Sequence, residues 1–507
     1  TSQDDTQGIW HSGNGHWALK ADTFTNRAGT VGGAGGLQFE LQHLENAGQI
    51  DGQTLHLTAQ SVANSGVINL SDRAATSLDA QILGDWLNQG GKISLAGGGV
   101  FAAAHWDNTQ GQLLAAGAIS VTASGGDADK VSFLNAQGWL QADTGLTLAT
   151  SNTLDNRQGT LLSGGTIQLT SQAGIDNTSG TIDLTPSNLP DALTPTVSIS
   201  AAGEFDNTQG VVQSFSHGSQ TLSASQINNT QGLIYSQAQS FTSTVAQVDN
   251  TGGRWQHTGQ TLEIKGLKEW RNAANTSSAA LMQTDGTLVI QGFEHILNSG
   301  QVGEAPSTIR ARSAQLQGKR LDNLSGAQLA LVAPDSSSAL DTTEAETAGI
   351  PKPLASLAPV DSSLQLDQLV NQGGIFTQSN LDLGKAHLLN TGGQLSSLND
   401  LTLSAADLGT LGGTLWAEGT LTLTSEGDFT FTNQAKLDAG RGIVWDVKGA
   451  FTNQGSLASG SNLTLKAASF NNSQTSDVSA VGALAVELTQ SLTNQGRIRG
   501  AGDTQVQ

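Results

Sequence analysis

The chain of 507 residues has no cysteine, only 8 prolines and only 1 methionine. Without cysteine it can form neither a disulfide framework nor a thiolate metal site. Charged residues make up only 13% of the chain while 37% are hydrophobic, and this balance argues against intrinsic disorder. No apolar run reaches the roughly 18 residues that a membrane-spanning helix needs, so we expect no membrane span.

The formal net charge is −21, which would repel the phosphate backbone, so we expect no nucleic acid partner. The lack of cysteine also suits a protein that crosses an oxidising compartment unfolded, because no wrong disulfide could trap it. No signal peptide opens the chain, and the repeat described next is present at both ends. We therefore expect a fragment of a longer protein, with any export signal outside it.

One short pattern recurs along the chain: an apolar residue, a variable residue, asparagine, two variable residues and glycine. It reads WDNTQG ending at Gly111, LDNRQG ending at Gly159 and FDNTQG ending at Gly210. With Asp5 and Thr410 counted in the asparagine position there are 22 copies, at a median spacing of 21 residues. We expect a structural turn role for the repeat asparagines, among them Asn108, Asn156, Asn207, Asn229, Asn250, Asn390 and Asn453.

Short segments of alternating polarity lie between the turns, such as TIQLTSQ at 166–172 and LTLTSEG at 421–427. Period-two alternation indicates a strand with one buried face, so Leu161, Ile167, Leu169, Leu421 and Leu423 should point inward. One copy is too small to bury a core, but stacked copies can share one. The sequence therefore predicts an all-β fold, a right-handed parallel β-helix (solenoid) of about 22 coils with two loop insertions. We expect asparagine side chains to stack between coils, and glycine or asparagine to adopt the positive φ of the turns.

Two segments, 185–196 and 333–361, interrupt the repeat and hold seven of the eight prolines. Proline cannot donate a ladder hydrogen bond, so these segments must leave the coil. Insertions in solenoids often form the binding face. For 333–361, a flexible surface loop without a binding role is at least as good an interpretation. The predicted division is regular repeats at 1–184, a loop insertion at 185–196, regular repeats at 197–253, irregular repeats at 254–326, a coil interrupted by an insertion at 327–365, and regular repeats at 366–507.

Residues 254–320 contain 8 of the 22 basic residues, and the repeat spacing is least regular there. Arginine and tryptophan are enriched at interface hot spots. The candidate receptor-binding residues are Arg254, Trp255, Lys268, Trp270, Arg271, Arg310 and Arg312. The alternative is a locally distorted stack with a solvated basic face, in which both tryptophans belong to the core.

A parallel β-helix can also be a polysaccharide-degrading enzyme, which would gather acidic or basic residues on one face. The acidic residues here are scattered, and several, such as Asp107 and Asp206, precede the repeat asparagine and resemble turn residues. No P-loop, GxSxG elbow or HExxH motif is present, and the pair His11 and His16 lacks a third metal ligand nearby. We therefore expect no catalytic residues, no cofactor and no metal. A passive spacer without any partner stays a third possibility.

The turns DNTQG and DNRQG, each followed by a TLxLTS-like strand, resemble the haemagglutinin repeats of filamentous haemagglutinin and of contact-dependent growth inhibition stalks. These are large exoproteins of Gram-negative two-partner secretion systems, and the resemblance covers nearly all of 1–507 except the two insertions. It implies export through an outer-membrane transporter, a secreted or cell-surface location, and contact with a receptor on a host cell or a neighbouring bacterium. Adhesin and toxin-delivery stalk remain equally open.

Overall fold

The computed structural model describes residues 2–5, 8–13, 15–73, 76–125, 131–186, 194–332, 360–384, 386–405, 412–432 and 435–507. Every regular element in these ranges is a β-strand. The chain divides into two compact units, Thr1–Asp249 (unit 1) and Asn250–Gln507 (unit 2). Both are parallel β-solenoids, as the alternating segments and the repeat predict.

Each coil contributes to three parallel sheets. Sheet 1 holds the strand that follows the asparagine turn, sheet 2 the next strand, and sheet 3 the strand that leads into the next turn. Neighbouring coils pair in register, for example Leu161 with Leu140 and with Ile182 in sheet 1. Such pairing places coils about 4.8 Å apart. Among the described residues, eleven sheet 1 segments lie in each unit, which agrees with the predicted 22 coils.

Unit 1 is built from short strands of two to six residues, apart from two ten-residue strands that pass from sheet 2 into sheet 3. In sheet 1 they are Ile9–Ser12, Thr30–Gly33, Gln49–Gly52, Val67–Leu70, Lys92–Leu95, Gln112–Ala115, Trp139–Ala142, Thr160–Ser163, Thr181–Leu184, Val211–Ser214 and Leu233–Ser236. In sheet 2 they are Leu55–Ala59, Leu78–Ile82, Gly99–Ala103, Ala118–Ala123, Gly145–Thr150, Thr166–Ser171, Val197–Ala201, Gln220–Ser223 and Ser240–Thr244. In sheet 3 they are Ser2–Asp5, Ser61–Asn64, Asp85–Leu87, His105–Asp107, Phe133–Leu134, Leu154–Asp155, Ile175–Asp176, Glu204–Asp206, Gln226–Asn228 and Gln247–Asp249; the two longer strands are Trp17–Asn26 and Leu37–Asn46.

Unit 2 has the same three sheets, but several strands bend around one or two corners. Its sheet 1 strands are Arg254–His257, Ala327–Leu331, Gly374–Thr377, Gln394–Ser397, Gly413–Ala417, Ala435–Ala439, Ser456–Ser459, Asp477–Ala480 and Arg497–Gly500. Sheet 2 has Thr261–Lys265, Leu381–Asp382, Leu401–Ala405, Thr420–Ser425, Gly442–Val447 and Thr504–Val506, and sheet 3 has Glu269–Ala273, His387–Leu389, Phe429–Phe431 and Ala450–Asn453. Leu281–Ser299 and Ser307–Asn323 run through all three sheets, and Ser362–Asn371, Asn462–Asn472 and Leu484–Asn494 through sheets 2 and 3.

The core of each unit is a column of inward apolar side chains. Leu161, Ile167 and Leu169 in unit 1, and Leu421 and Leu423 in unit 2, are all 0% exposed, which confirms the predicted inward face. Aromatic rings also stack from coil to coil. In unit 1 the rings of Trp86 and Trp106 lie 5.2 Å apart, and those of Trp106 and Phe133 lie 6.2 Å apart, both pairs nearly parallel.

The repeat asparagines form a buried amide ladder inside the turns. Asn156 Nδ2 donates to Asn177 Oδ1 at 2.7 Å, and Asn156 Oδ1 accepts from Asn135 Nδ2 at 2.8 Å. In unit 1 the ladder joins Asn26 to Asn229 through every intervening repeat asparagine. In unit 2 it joins Asn250 to Asn390 and Asn453 to Asn494. Buried amide groups need such partners, so one residue type is required at the same place in each coil.

At turns such as the one that ends at Gly159, the last glycine of the motif is required for space, not for a positive φ. A Cβ atom added at Gly159 would lie 2.1 Å from the main-chain oxygen of Asn135, one coil away. The positive φ falls one residue earlier, on Gln158 at 56°. We expected glycine or asparagine there, and at such turns this expectation is wrong. Glutamine fits because its exposed amide bonds to the next coil, as when Gln137 Nε2 donates to Gln158 Oε1 at 2.8 Å.

The aspartates that precede the repeat asparagine cap the turns. Asp107 Oδ1 accepts the Thr109 N–H at 2.8 Å, and Asp206 Oδ1 accepts the Thr208 N–H at 2.9 Å. These bonds confirm the turn role expected for both carboxylates. Similar local bonds from aspartate to the main chain two residues on are common in turns.

Two of the predicted features fall on parts of the chain outside the described residues. These are the Asn433 and Thr410 positions of the repeat, and most of the two proline-rich insertions, at 187–193 and 333–359. The strands that flank each insertion are described. In both cases the chain leaves at the end of a sheet 1 strand and returns at a sheet 2 strand.

Candidate functional site

All seven predicted turn asparagines are in the interior. Asn108, Asn156, Asn207, Asn229, Asn250, Asn390 and Asn453 are each 0% exposed. Asn390 differs in its donor bond, because its Nδ2 donates to the main-chain oxygen of Gly412 at 2.8 Å instead of to an asparagine. Their placement makes them part of the scaffold and leaves ligand contact to other residues.

The two candidate tryptophans are in the core of unit 2. Trp255 is 0% and Trp270 2% exposed, so neither indole is available at the surface as a receptor anchor. Trp270 pairs in register with Ile296 and Trp255 with Met282, both of which are buried core residues. The receptor-anchor role expected for these two side chains does not fit their position, and the alternative assignment to the core does.

The candidate basic residues are divided between sheet 3, sheet 1 and the corner between sheets 1 and 2. Arg271 is exposed on sheet 3, and Lys268 is exposed directly before the same strand. Arg271 Nε donates to Thr251 Oγ1 at 3.1 Å. Arg254 is exposed at the start of a sheet 1 strand, directly after the turn that contains Thr251. Arg310 and Arg312 are half-buried at the corner between sheets 1 and 2.

Arg310 is near a half-buried carboxylate. Burial raises the pKa of Asp285, while the hydrogen bond from Gln283 and the charge of Arg310 act in the opposite direction. Gln283 Nε2 donates to Asp285 Oδ1 at 3.2 Å, and Gln283 pairs in register with Arg310. Arg310 therefore has a local electrostatic role, and a change in its charge would alter more than the surface.

Sequence reasoning missed two enlarged turns beside Arg254 and Arg271. The usual four-residue turn is replaced by residues 274–280 in one coil and by 300–306 in the next. Asn275 organises them: its Oδ1 accepts the N–H groups of Ser277 and Ser278 at 2.8 Å, and its main-chain oxygen accepts from Gln301 Nε2 at 2.7 Å. Val302 at the tip is 82% exposed. The signal was present, because the asparagine spacings here are 26 and 25, but spacing does not say at which corner extra residues leave.

Sheet 3 beside these turns carries an ordered charge cluster. Asp322, only 6% exposed, accepts from Arg320 Nε at 2.7 Å and from His295 Nε2 at 3.0 Å. The hydrogen bond that Arg320 donates to Asp322 raises the pKa of the Arg320 guanidinium above its ordinary value. The cluster holds Arg320 and His295, neither of which the sequence singled out as a site residue.

An open polar groove of about 530 Å³ lies on sheet 2 of unit 2, where the chain returns from the second insertion. Its lining includes three glutamines, Gln291, Gln317 and Gln365, stacked in register on successive coils. Asp361 accepts from Asn380 Nδ2 at 3.2 Å at its edge. The described residues contain no group of three or more His, Asp or Glu side chains placed to hold a metal ion. They also contain no helix long and apolar enough to cross a membrane.

Comparison with known proteins identifies the repeat. The haemagglutinin repeat family matches residues 14–81, 73–129, 127–209, 215–266, 361–425 and 427–502. Residues 267–360 are outside all six matches, so the resemblance leaves out most of the irregular coils as well as the second insertion. Deoxyribonuclease CdiA of Dickeya dadantii (strain 3937) is 27% identical over 504 residues, which is 97% of this chain and 12% of that protein. The chain thus spans about an eighth of that relative's length.

No solved structure gives a significant match to the chain. The repeat matches nevertheless cover well over half of the sequence, and they coincide with the regular coils and their amide ladder. The chain therefore belongs to the haemagglutinin repeat family.

Proposed function

We propose that the chain is a stalk segment of a large exoprotein, of adhesin or toxin-delivery type, at the outer surface of a Gram-negative bacterium. Export through an outer-membrane two-partner secretion transporter is part of the proposal. The observation that carries it is the repeat family match along the regular coils, together with 27% identity to Deoxyribonuclease CdiA over 97% of the chain. Solenoids of this kind display sites on a stack of similar coils.

We further propose that the irregular coils of unit 2 contact a receptor on a host cell or a neighbouring bacterium. Lys268 and Arg271 are exposed cations on an acidic chain, and the enlarged turns with exposed Val302 lie beside Arg271. Charges at the rim of an interface mainly control the association rate and its salt dependence. Most outward side chains of the regular coils are small and polar, and they give little desolvated anchor area.

The test is cell binding by the full chain carrying Lys268→Glu and Arg271→Glu. Both side chains are exposed, so the variant should keep its melting temperature while binding falls on the order of tenfold and loses salt dependence. Lys436→Glu with Arg441→Glu is the matched control, because it makes the same charge change at exposed positions of regular coils. Arg310→Glu is unsuitable, since it would place a second carboxylate near Asp285.

A second variant removes 334–358 and joins the ends with a short Gly-Ser linker. Binding that survives the charge reversal but is lost on this deletion would move the receptor site to the insertion. If both variants bind as well as the unaltered chain, the segment has no receptor site in unit 2. If the unaltered chain binds no cell type at all, the segment is a passive spacer.

We also propose that this segment has no catalytic activity. The relative's name describes a deoxyribonuclease, but this chain corresponds to 12% of that protein, is made of repeats and carries a net charge of −21. Incubation with plasmid DNA should leave the DNA intact. The rival assignment, a polysaccharide-degrading β-helix, requires release of reducing ends or unsaturated sugars from a glycan panel, abolished by one acidic-to-amide substitution.

A further inference from the structure

The outer faces of sheets 1 and 2 in unit 1 differ in character. Sheet 2 presents small polar side chains, such as Ser120, Thr147 and Ser198 on its outer face. Sheet 1 presents Trp139, whose side chain is 42% exposed and is the one exposed aromatic among the residues that the structure describes. Apolar side chains of this size are usually withdrawn from water, so an exposed tryptophan on a rigid strand is a candidate binding residue.

Trp139 is held by a relay of hydrogen bonds along its own strand. Its Nε1 donates to Gln141 Oε1 at 3.3 Å, and Gln141 Nε2 donates to Asp143 Oδ1 at 3.2 Å. The relay restrains the partly exposed indole, and it leaves Asp143 Oδ2 as a hydrogen-bond acceptor. It also orders the three side chains before any ligand arrives, which lowers the entropy lost on binding.

A groove of about 400 Å³ begins beside this relay and crosses the neighbouring coils. Asn69, Ser94, Leu114 and Gln141 occupy the same register position on four successive coils. Asn69 and Gln141 form opposite walls about 14 Å apart, at three coil spacings. Between them the floor is made of short side chains and Leu114, which accounts for the depression.

The chemistry of this surface suits a neutral sugar. A pyranose ring has an apolar C–H face, which can pack on an indole, and a rim of hydroxyl groups that both donate and accept. Gln141 offers an amide and Asp143 a carboxylate acceptor, while Leu114 gives the groove an apolar floor. Asn69 offers its amide oxygen, because its Nδ2 donates to Asp51 Oδ1 at 3.0 Å. No lysine or arginine is among the described residues that line the groove, although Lys92 is on the same outer face, in the register row that runs from Trp139 through Gln112. A sulfated, phosphorylated or carboxylated ligand in the groove would meet the like charge of Asp143.

We propose that Trp139, Gln141 and Asp143 with the adjoining groove form a binding site for neutral sugar residues of a glycan. Trp139 supplies the stacking platform, Gln141 and Asp143 bind the hydroxyl groups, and the groove toward Asn69 takes the sugars that follow. The site is in unit 1 and is independent of the receptor contact proposed for unit 2.

The experiment is binding of the full chain to neutral hexose and N-acetylhexosamine oligosaccharides, with sulfated and phosphorylated counterparts as comparison. We expect the neutral set to bind and Trp139→Ala to weaken it about tenfold, the loss of a stacked aromatic. Asp143→Asn should weaken it less. Trp416→Ala is the matched control, because Trp416 is half-buried on the outer face of sheet 1 in unit 2. It should bind like the unaltered chain.

Because Trp139 faces outward, we expect the Trp139→Ala variant and the unaltered chain to have equal melting temperatures. Equal values would show that a loss of binding does not come from a loss of folding. The proposal is overturned if no neutral oligosaccharide binds, if only the anionic counterparts bind, or if Trp139→Ala binds as well as the control. It is also overturned if Trp139 is needed for capture of a protein while the oligosaccharides stay unbound.

Discussion

Asparagine and aspartate have nearly the same shape, which makes Asn207→Asp a sharp probe of the buried amide ladder. Asn207 Oδ1 accepts from Asn177 Nδ2 at 2.7 Å, and its Nδ2 donates to Asn229 Oδ1 at 2.8 Å. The same Nδ2 lies 3.2 Å from the main-chain oxygens of Gly210 and Leu233. In the variant the second carboxylate oxygen would face three acceptors, and no cation is among these partners.

The expected cost follows from that geometry. Asn207 is 0% exposed, and an uncompensated buried charge costs about 3–5 kcal/mol. The folded state would therefore raise the pKa of the new carboxyl group above its unfolded value. The loss of stability is present at neutral pH and shrinks as pH falls through that raised pKa, because a protonated carboxyl can donate to Asn229 Oδ1 again.

Asn228→Asp is the control, since the register puts Asp206 and Asp249 at the same position in the adjacent coils. Asn228 Oδ1 accepts the Thr230 N–H at 3.2 Å, a bond that aspartate preserves. The new aspartate adds a negative charge beside those of Asp206 and Asp249. Because the site is partly exposed, we expect this to lower the free energy of unfolding by less than about 1 kcal/mol.

The assay is urea unfolding of the full chain at pH 7 and pH 4, with hydrogen exchange of peptides from 200–240. Peptide resolution matters because coils of a solenoid can open separately. Each variant is compared with the unaltered chain at the same pH. Equal effects of Asn207→Asp and Asn228→Asp at pH 7, or an Asn207→Asp effect that does not shrink at pH 4, would refute the reasoning.

Three further changes test the packing and one buried carboxylate. Gly159→Ala should destabilise its coil by several kcal/mol, because the added Cβ would meet main chain at 2.1 Å, whereas Gly427→Ala, with nothing within 4 Å, should leave urea unfolding unchanged. Leu169→Asp should cost several kcal/mol, since this side chain is 0% exposed, and peptide hydrogen exchange should show coils opening around it. Burial raises the pKa of Asp285, so this carboxyl group should lower the stability of the unaltered chain as pH rises through the carboxyl range. In melting curves from pH 4 to pH 8, Asp285→Asn should therefore gain stability relative to the unaltered chain as pH rises. A steeper decline in the variant would contradict the assignment.

The sequence predicted the regular coils well because each coil meets the same physical demand. A buried amide must find a partner in the coils before and after it, so the asparagine recurs and its spacing reports the coil length. Alternation then sets the buried face, as at Ile167 and Leu169. The error at the turns has the same origin: glycine at the end of the motif looks like a positive-φ residue, but the neighbouring coil's main chain is what excludes a side chain there.

The candidate receptor site was less predictable because it depends on departures from the repeat. Composition drew attention to 254–320, but it could not separate Arg271, exposed on sheet 3, from Arg310, which is near Asp285. The longer asparagine spacings showed that residues had been added. They could not show that residues 274–280 and 300–306 leave at the turn, because the same spacing fits extra residues at any of the three corners.

Once the inward and outward positions of one coil are known, the repeat register predicts which tryptophans face the core. The first residue after the motif glycine points outward and the second inward, as Thr160 and Leu161 do after Gly159. By that rule Arg254 faces solvent and Trp255 the core, as the structure has them. The same rule turns Trp139 outward, because it follows Gly138 directly. A tryptophan is costly to leave in water, and the strand would pack equally well with a threonine there, as the next coil does with Thr160. Among the described residues, the other large aromatics at outward positions, such as Trp416, are less exposed than Trp139. An outward tryptophan that stays 42% exposed thus needs an explanation other than folding, and ligand binding supplies one.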